Sequence, residues 1–140
     1  SDVYKRQHEP VHYRAVMAKK HSPRFLKIVE AARQEIAECS ADEISTLIAK
    51  GAVIIDVRER HEFDAGHLRE AIHIGKGVIE RDIEKQGFDT TQKLVLYCGG
   101  GFRSAIAAKS LKDMGYEEVM SLWGGWRSIV AEGLSTTASL

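Results

Sequence analysis

Leu94-Val95-Leu96-Tyr97-Cys98-Gly99-Gly100-Gly101-Phe102-Arg103-Ser104-Ala105 runs from an apolar, strand-like segment through a cysteine, three glycines and an arginine. A helical pattern opens at Ser104. Glycine lets successive backbone N–H groups turn inward and approach an anion closely. A helix starting at Ser104 adds a positive dipole end and unpaired N–H groups, and Arg103 adds a full charge. A cysteine at the mouth of such a loop favours its thiolate, the nucleophilic form. Many free cysteines are only small buried hydrophobes. Packing alone, however, needs no glycine triplet, arginine and helix start converging on one sulfur. The segment reads as an anion-binding loop around a reactive Cys98.

Outward from the loop, strand-like and helical patterns alternate. Ser22 is a candidate N-cap for a helix beginning at Pro23 and carried by apolar residues at three-and-four spacing to Ile36. Ser40-Ala41-Asp42-Glu43 has the form of a capping box, opening a helix through Ile48 that ends at Gly51. Val53–Val57 is a continuous apolar run, as in a strand covered on both faces. Ala71–Ile74 reads as a short strand, Val78–Gln86 as an amphipathic helix ended by Gly87, and Lys93–Tyr97 as a strand. Ser104–Met114 is then a helix, Glu118–Leu122 a strand, and Gly125–Glu132 a last helix closed by Gly133. This order predicts an α/β three-layer sandwich with a mostly parallel, about five-stranded sheet flanked by helices. Ligands in such sheets bind at the carboxyl ends of strands, where Cys98 lies.

The chain has 140 residues, with 20 Lys and Arg against 20 Asp and Glu. That length suits one domain, and balanced charge gives no field to recruit nucleic acid or an anionic membrane. No apolar run approaches the roughly 20 residues of a membrane span, and the N-terminus lacks a signal-peptide pattern. Two cysteines make no disulfide framework, so a reducing, cytoplasmic setting is expected. Residues 1–20 are polar, basic and unpatterned. They read as a disordered or cloning-derived N-terminal segment, with Met17 as a native start. Residues 21–134 are expected to form a single, monomeric domain and 135–140 a flexible tail.

Beyond the loop, three more motifs stand in order: Asp56-Val57-Arg58-Glu59 with Glu62-Phe63, Ala65-Gly66-His67-Leu68-Arg69-Glu70-Ala71-Ile72-His73-Ile74, and Leu122-Trp123-Gly124-Gly125-Trp126. With Cys98–Ser104 they resemble the signatures of the single-domain rhodanese-like sulfurtransferases, from about Ala41 to Glu132. Arg69-Glu70 departs from the usual Pro-Gly, and Gly75 stands where a proline is common. The resemblance implies a rhodanese-like fold and a two-step transfer in which Cys98 takes sulfane sulfur from a small donor such as thiosulfate. A thiol, cyanide or an acceptor protein would then remove it. It further implies that Gly99, Gly100, Gly101, Phe102, Arg103 and Ser104 bind the substrate, that Asp56 and Arg58 support the loop, and that no cofactor or metal is needed.

Four residues separate Cys98 from Arg103. Cysteine phosphatases of related fold use one more, which widens the cradle for a tetrahedral oxyanion, so the loop favours sulfur transfer over phosphatase or arsenate reductase chemistry. A catalytically silent binding module is the non-enzymatic alternative, and the presence of Cys98 speaks against it. His61, His67 and His73 stand six apart, a spacing that fits no usual zinc site. His67 is expected to be a structural hydrogen-bonding residue. Cys39 is expected to pack rather than to act as a resolving thiol, and Trp123 and Trp126 to pack beside the loop. Phe102 faces either the pocket wall or solvent.

Overall fold

The computed structural model describes residues 21–139, so the expectation for residues 1–20 lies outside the described residues. Helix α1 (Pro23–Arg33) starts as its sequence predicts, with the Ser22 side chain accepting the Phe25 N–H. Strand β1 (Ala37–Cys39) follows. Ser40 and Glu43 form the capping box of a 3-10 turn (Ala41–Glu43) that continues into α2 (Ile44–Ala49). The chain proceeds through β2 (Val53–Asp56), α3 (Arg60–Ala65), β3 (His67–Leu68), β4 (Ile72–His73), α4 (Ile79–Asp82), β5 (Leu94–Tyr97), α5 (Phe102–Asp113), β6 (Val119–Leu122), α6 (Gly125–Glu132) and β7 (Thr136–Thr137).

The five-stranded sheet has order β1-β6-β5-β2-β4, parallel throughout. Alternation along its strands feeds two cores. Ile55, Leu94, Leu96 and Cys98 face one layer with Val29 of α1, Ile79 of α4 and Ala105, Ala108 and Leu111 of α5. Ile54, Val95 and Tyr97 face the other, with Ile44 of α2, Leu68 and Ile129 of α6. This is the three-layer sandwich expected, with β5 at its centre. Among the described residues, no helix is long and apolar enough to cross a membrane.

The structure departs from the sequence-based expectations in several places, beginning with α1, which ends at Arg33 short of Ile36. Helix α5 begins at Phe102, two residues before Ser104, because Gly101 takes φ +96° and serves as its N-cap. The segment Val78–Gln86 is not one helix. A single α-turn is flanked by 3-10 turns at Lys76–Val78 and Ile83–Gln86, and only Ile79 and Ile83 of it are fully buried. Strands β1 and β3 and helix α3 appear where no element was predicted. Thr136 and Thr137, expected within a flexible tail 135–140, pair antiparallel with His67 and Leu68. Arg69 fastens this segment, its Nε donating to Ser135 Oγ at 3.1 Å and its backbone N–H to the Ser135 carbonyl at 3.0 Å.

Candidate active site

Cys98 follows the last residue of β5, is 1% exposed, and sits at the floor of a cleft of about 540 Å³. Its Sγ accepts the backbone N–H groups of Gly101 at 3.2 Å and Ser104 at 3.3 Å. Ser104 Oγ stands 3.5 Å from Sγ and 2.8 Å from Ser121 Oγ, so a buried hydroxyl pair also borders the sulfur. Gly99, Gly100, Phe102 and Arg103 line the cleft.

The loop owes its shape to the start of α6 as much as to its own glycines. The Trp126 N–H donates to the Cys98 carbonyl at 2.7 Å and the Arg127 N–H to the Gly99 carbonyl at 3.3 Å. With those two carbonyls held by α6, the following N–H groups of the loop can turn toward the sulfur. The approach is so close that a Cβ at Gly125 would overlap the Cys98 carbonyl oxygen and lie 2.8 Å from the Gly99 carbonyl carbon. Gly125 also has φ +52°. The Leu122–Trp126 motif therefore clamps the Cys98 loop.

Arg103 turns to Glu62 of α3. Its Nη1 donates to Glu62 Oε2 at 3.0 Å and its Nη2 to Oε1 at 3.2 Å, a bidentate pair. Glu62 Oε2 also accepts the Glu59 N–H at 2.8 Å, closing the capping box of α3. The Arg103 bond, ahead of the backbone bond, holds the Glu62 carboxyl well below the usual range, at about 2. In return the Glu62 bond raises the Arg103 pKa, and charge on the Cys98 sulfur adds to that rise.

Asp56, at the end of β2, is fully buried and receives Arg58 through the backbone N–H at 3.0 Å, Nε at 3.0 Å and Nη2 at 2.7 Å. Burial alone would lower the Arg58 pKa; the Asp56 hydrogen bond and charge outweigh it and raise it. Arg58 Nη2 also donates to the Gly66 carbonyl at 2.6 Å, and its guanidinium lies 4.8 Å from the Trp126 ring centre. Asp56 thus reaches the loop at second hand, through Arg58 and Trp126. Tyr97 completes this underside, its hydroxyl accepting the Leu68 N–H at 3.1 Å; burial and then Asp56 push its pKa far up, so the phenol stays neutral.

His67 stacks on Phe63 at 3.7 Å between ring centres, and its Nδ1 lies 2.7 Å from the Phe63 carbonyl. Phe102 is buried against Phe25 and His21. Cys39 belongs to the opposite core layer, with its strand paired to β6 rather than to β5. Two strand spacings put it roughly 10 Å from Cys98, beyond the reach of about 7 Å that a disulfide allows. Phe25 and His21 belong to the site without having been singled out from the sequence, and Glu62 and Gly125, which stand there only within motifs, had no role assigned. For Glu62 a signal exists, since Glu59 and Glu62 hold capping-box spacing.

Residues 40–132 match the family model of the rhodanese-like domain. Thiosulfate sulfurtransferase GlpE of Pseudomonas entomophila is 32% identical over 97 residues, which cover 67% of this chain and 87% of that protein. The uncharacterized protein YqhL of Bacillus subtilis is 32% identical over 95 residues, covering 68% and 74%. Among solved structures, a Rhodopseudomonas palustris protein of unknown function, described as a possible tyrosine phosphatase, aligns with a TM-score of 0.72 at 27% identity, covering 81% of this chain and 93% of that one. A thiosulfate sulfurtransferase of Pseudomonas aeruginosa shares the fold, with a TM-score of 0.71 at 22% identity over 81% of this chain and 22% of its own.

Proposed function

Because this chain belongs to the rhodanese-like domain family, we propose that it is a sulfurtransferase carrying sulfane sulfur on Cys98. The observation that supports this most is the pair of backbone N–H groups, from Gly101 and Ser104, aimed at one buried sulfur. Preset donors of this kind stabilise an anionic sulfur without moving during the reaction. In the first step the Cys98 thiolate attacks the outer sulfur of a donor such as thiosulfate. An S–S bond to Cys98 forms, the donor's own S–S bond breaks, and sulfite leaves with the electron pair. In the second step cyanide or a thiol attacks the terminal sulfur and Cys98 departs as thiolate, giving ping-pong kinetics. A thiolate needs no histidine base, and the His67 ring is held against Phe63.

The description carried by the Rhodopseudomonas palustris neighbour keeps phosphoryl transfer as a second reading. Two features oppose it. The loop is one residue short for a tetrahedral phosphate, and the arginine fork that would grip two phosphate oxygens is already on Glu62.

Intact mass of the reduced protein, before and after thiosulfate or an organic persulfide, tests the proposal beside Cys98→Ser. The expected result is a gain of one sulfur atom by the unaltered chain and none by the variant, with cyanide discharging it as thiocyanate. Failure to gain sulfur from either donor overturns the reading. Phosphatase activity lost in Cys98→Ser would then put phosphoryl transfer in its place.

A further inference from the structure

The cleft above Cys98 offers far more room than an ion the size of thiosulfate occupies. Its volume of about 540 Å³ falls in the range of pockets for organic ligands, which begins at roughly 300 Å³. One wall is aromatic. The His21 and Phe102 ring centres are 4.5 Å apart, His21 and Phe25 5.2 Å, and Phe25 and Phe102 6.4 Å. The Arg33 guanidinium lies 5.0 Å from the Phe102 ring centre and helps to hold that ring. His21 and Phe25 come from ahead of residues 40–132, the stretch matched by the family. Trp126 contributes a further ring to the lining.

The charges in the cleft point the same way. Of the three arginines that line it, Arg58 is bonded to buried Asp56 and Arg103 is gripped at both terminal nitrogens by Glu62, while Arg127 stands on the exposed rim. A dianion such as thiosulfate calls for an open cationic fork. Here the fork on the loop itself, Arg103, is taken by Glu62, and that carboxylate also lines the cleft.

Resting on the sulfurtransferase reading, we infer that the donor this cleft is built for is an organic persulfide with an apolar, ring-sized group beside its sulfur, thiosulfate being the weaker donor. The aromatic wall takes the organic group and the loop takes the sulfur. The Cys98 thiolate attacks the outer sulfur of the persulfide and a new S–S bond forms. The donor's S–S bond breaks, and the organic thiolate leaves with the electron pair. The transferred sulfur keeps its oxidation level, so no oxidant or reductant is consumed.

The test follows sulfur gain on Cys98 of the full chain by intact mass, with benzyl persulfide, methyl persulfide and thiosulfate as donors. Methyl persulfide controls for the greater intrinsic reactivity of persulfides. Benzyl persulfide is expected to load Cys98 about tenfold faster, per unit concentration, than methyl persulfide and faster again than thiosulfate. Phe25→Ala should cut the benzyl-to-methyl ratio about tenfold, the order of one lost aromatic contact. Glu62→Gln, which frees the Arg103 fork, should shift the ratio of benzyl persulfide to thiosulfate toward thiosulfate and gives a reading independent of whether Phe25→Ala folds. Thiosulfate as the fastest donor, or benzyl persulfide no faster than methyl, overturns the inference and leaves sulfur transfer intact. If no donor loads Cys98, the sulfurtransferase reading itself falls.

Discussion

Arg58 and Arg103 each meet a carboxylate in front of the same sheet end, and the two pairs are built for different ends. The Arg58–Asp56 pair is sealed, with side-chain exposures of 5% and 0%. It spends its donors on the Asp56 carboxylate and the Gly66 carbonyl and lies under Trp126, whose backbone grips the Cys98 carbonyl. The Arg103–Glu62 pair stands at the cleft mouth, with exposures of 35% and 27%. Its geometry is equally bidentate, but water screens it. Burial therefore separates a sealed pair under the loop from a partly solvated pair that holds the Arg103 fork on Glu62.

The sharpest way to break that contrast is Asp56→Ala. It leaves the Arg58 guanidinium buried with one carbonyl in place of a carboxylate, and such a loss costs about 3–5 kcal/mol. Urea unfolding is expected to show that loss, while the fraction that stays folded still loads sulfur on Cys98. Unchanged unfolding with abolished loading would make Asp56 part of the chemistry instead. Double-mutant cycles sharpen the comparison further. Asp56→Ala with Arg58→Ala should give a coupling energy of about 2–3 kcal/mol, because the second change removes the stranded charge. Glu62→Gln with Arg103→Gln should give about 0.5 kcal/mol, as for a partly exposed pair. Similar couplings in the two cycles would show that burial does not divide these roles.

The same division explains how much could be read from residues in order. Strands β2 and β5 are continuous apolar runs, and Ser22, Gly133 and the Ser40–Glu43 box mark helix ends through local chemistry, so these elements were legible. Strand β1 was not. It is Ala-Glu-Cys, with a glutamate whose burial makes sense only beside Arg33 of α1. Helix α3 spans only Arg60–Ala65, too short for apolar periodicity to register. Cys98 and its glycines stand together in the chain, so the loop that sets the Gly101 and Ser104 N–H groups on the sulfur could be picked out from the sequence. Glu62 and Gly125 stand within sequence motifs, but their roles were not legible, since each reaches the loop from a separate element and only tertiary packing brings them there. Arg103 stood in plain view, yet its partner lies 41 positions away, so its occupied fork could not be foreseen.

The smallest expected effect tests the exposed pair by pH. In the folded chain the Glu62 carboxyl is held at about 2, against 4.5 for an unperturbed glutamate. A depressed folded value means that ionised Glu62 stabilises the native state. That contribution is complete above pH 4.5 and fades as pH falls toward about 2, where the carboxyl protonates in both states. The difference in unfolding free energy between the unaltered chain and Glu62→Gln should therefore be flat at neutral pH and shrink through the window between those two values. Salt should shrink it too, because the pair is partly exposed. A difference that persists unchanged at the bottom of that window would mean that Glu62 acts through neutral hydrogen bonds to Arg103 and the Glu59 N–H, and that the arginine at the cleft mouth is held by geometry rather than by charge.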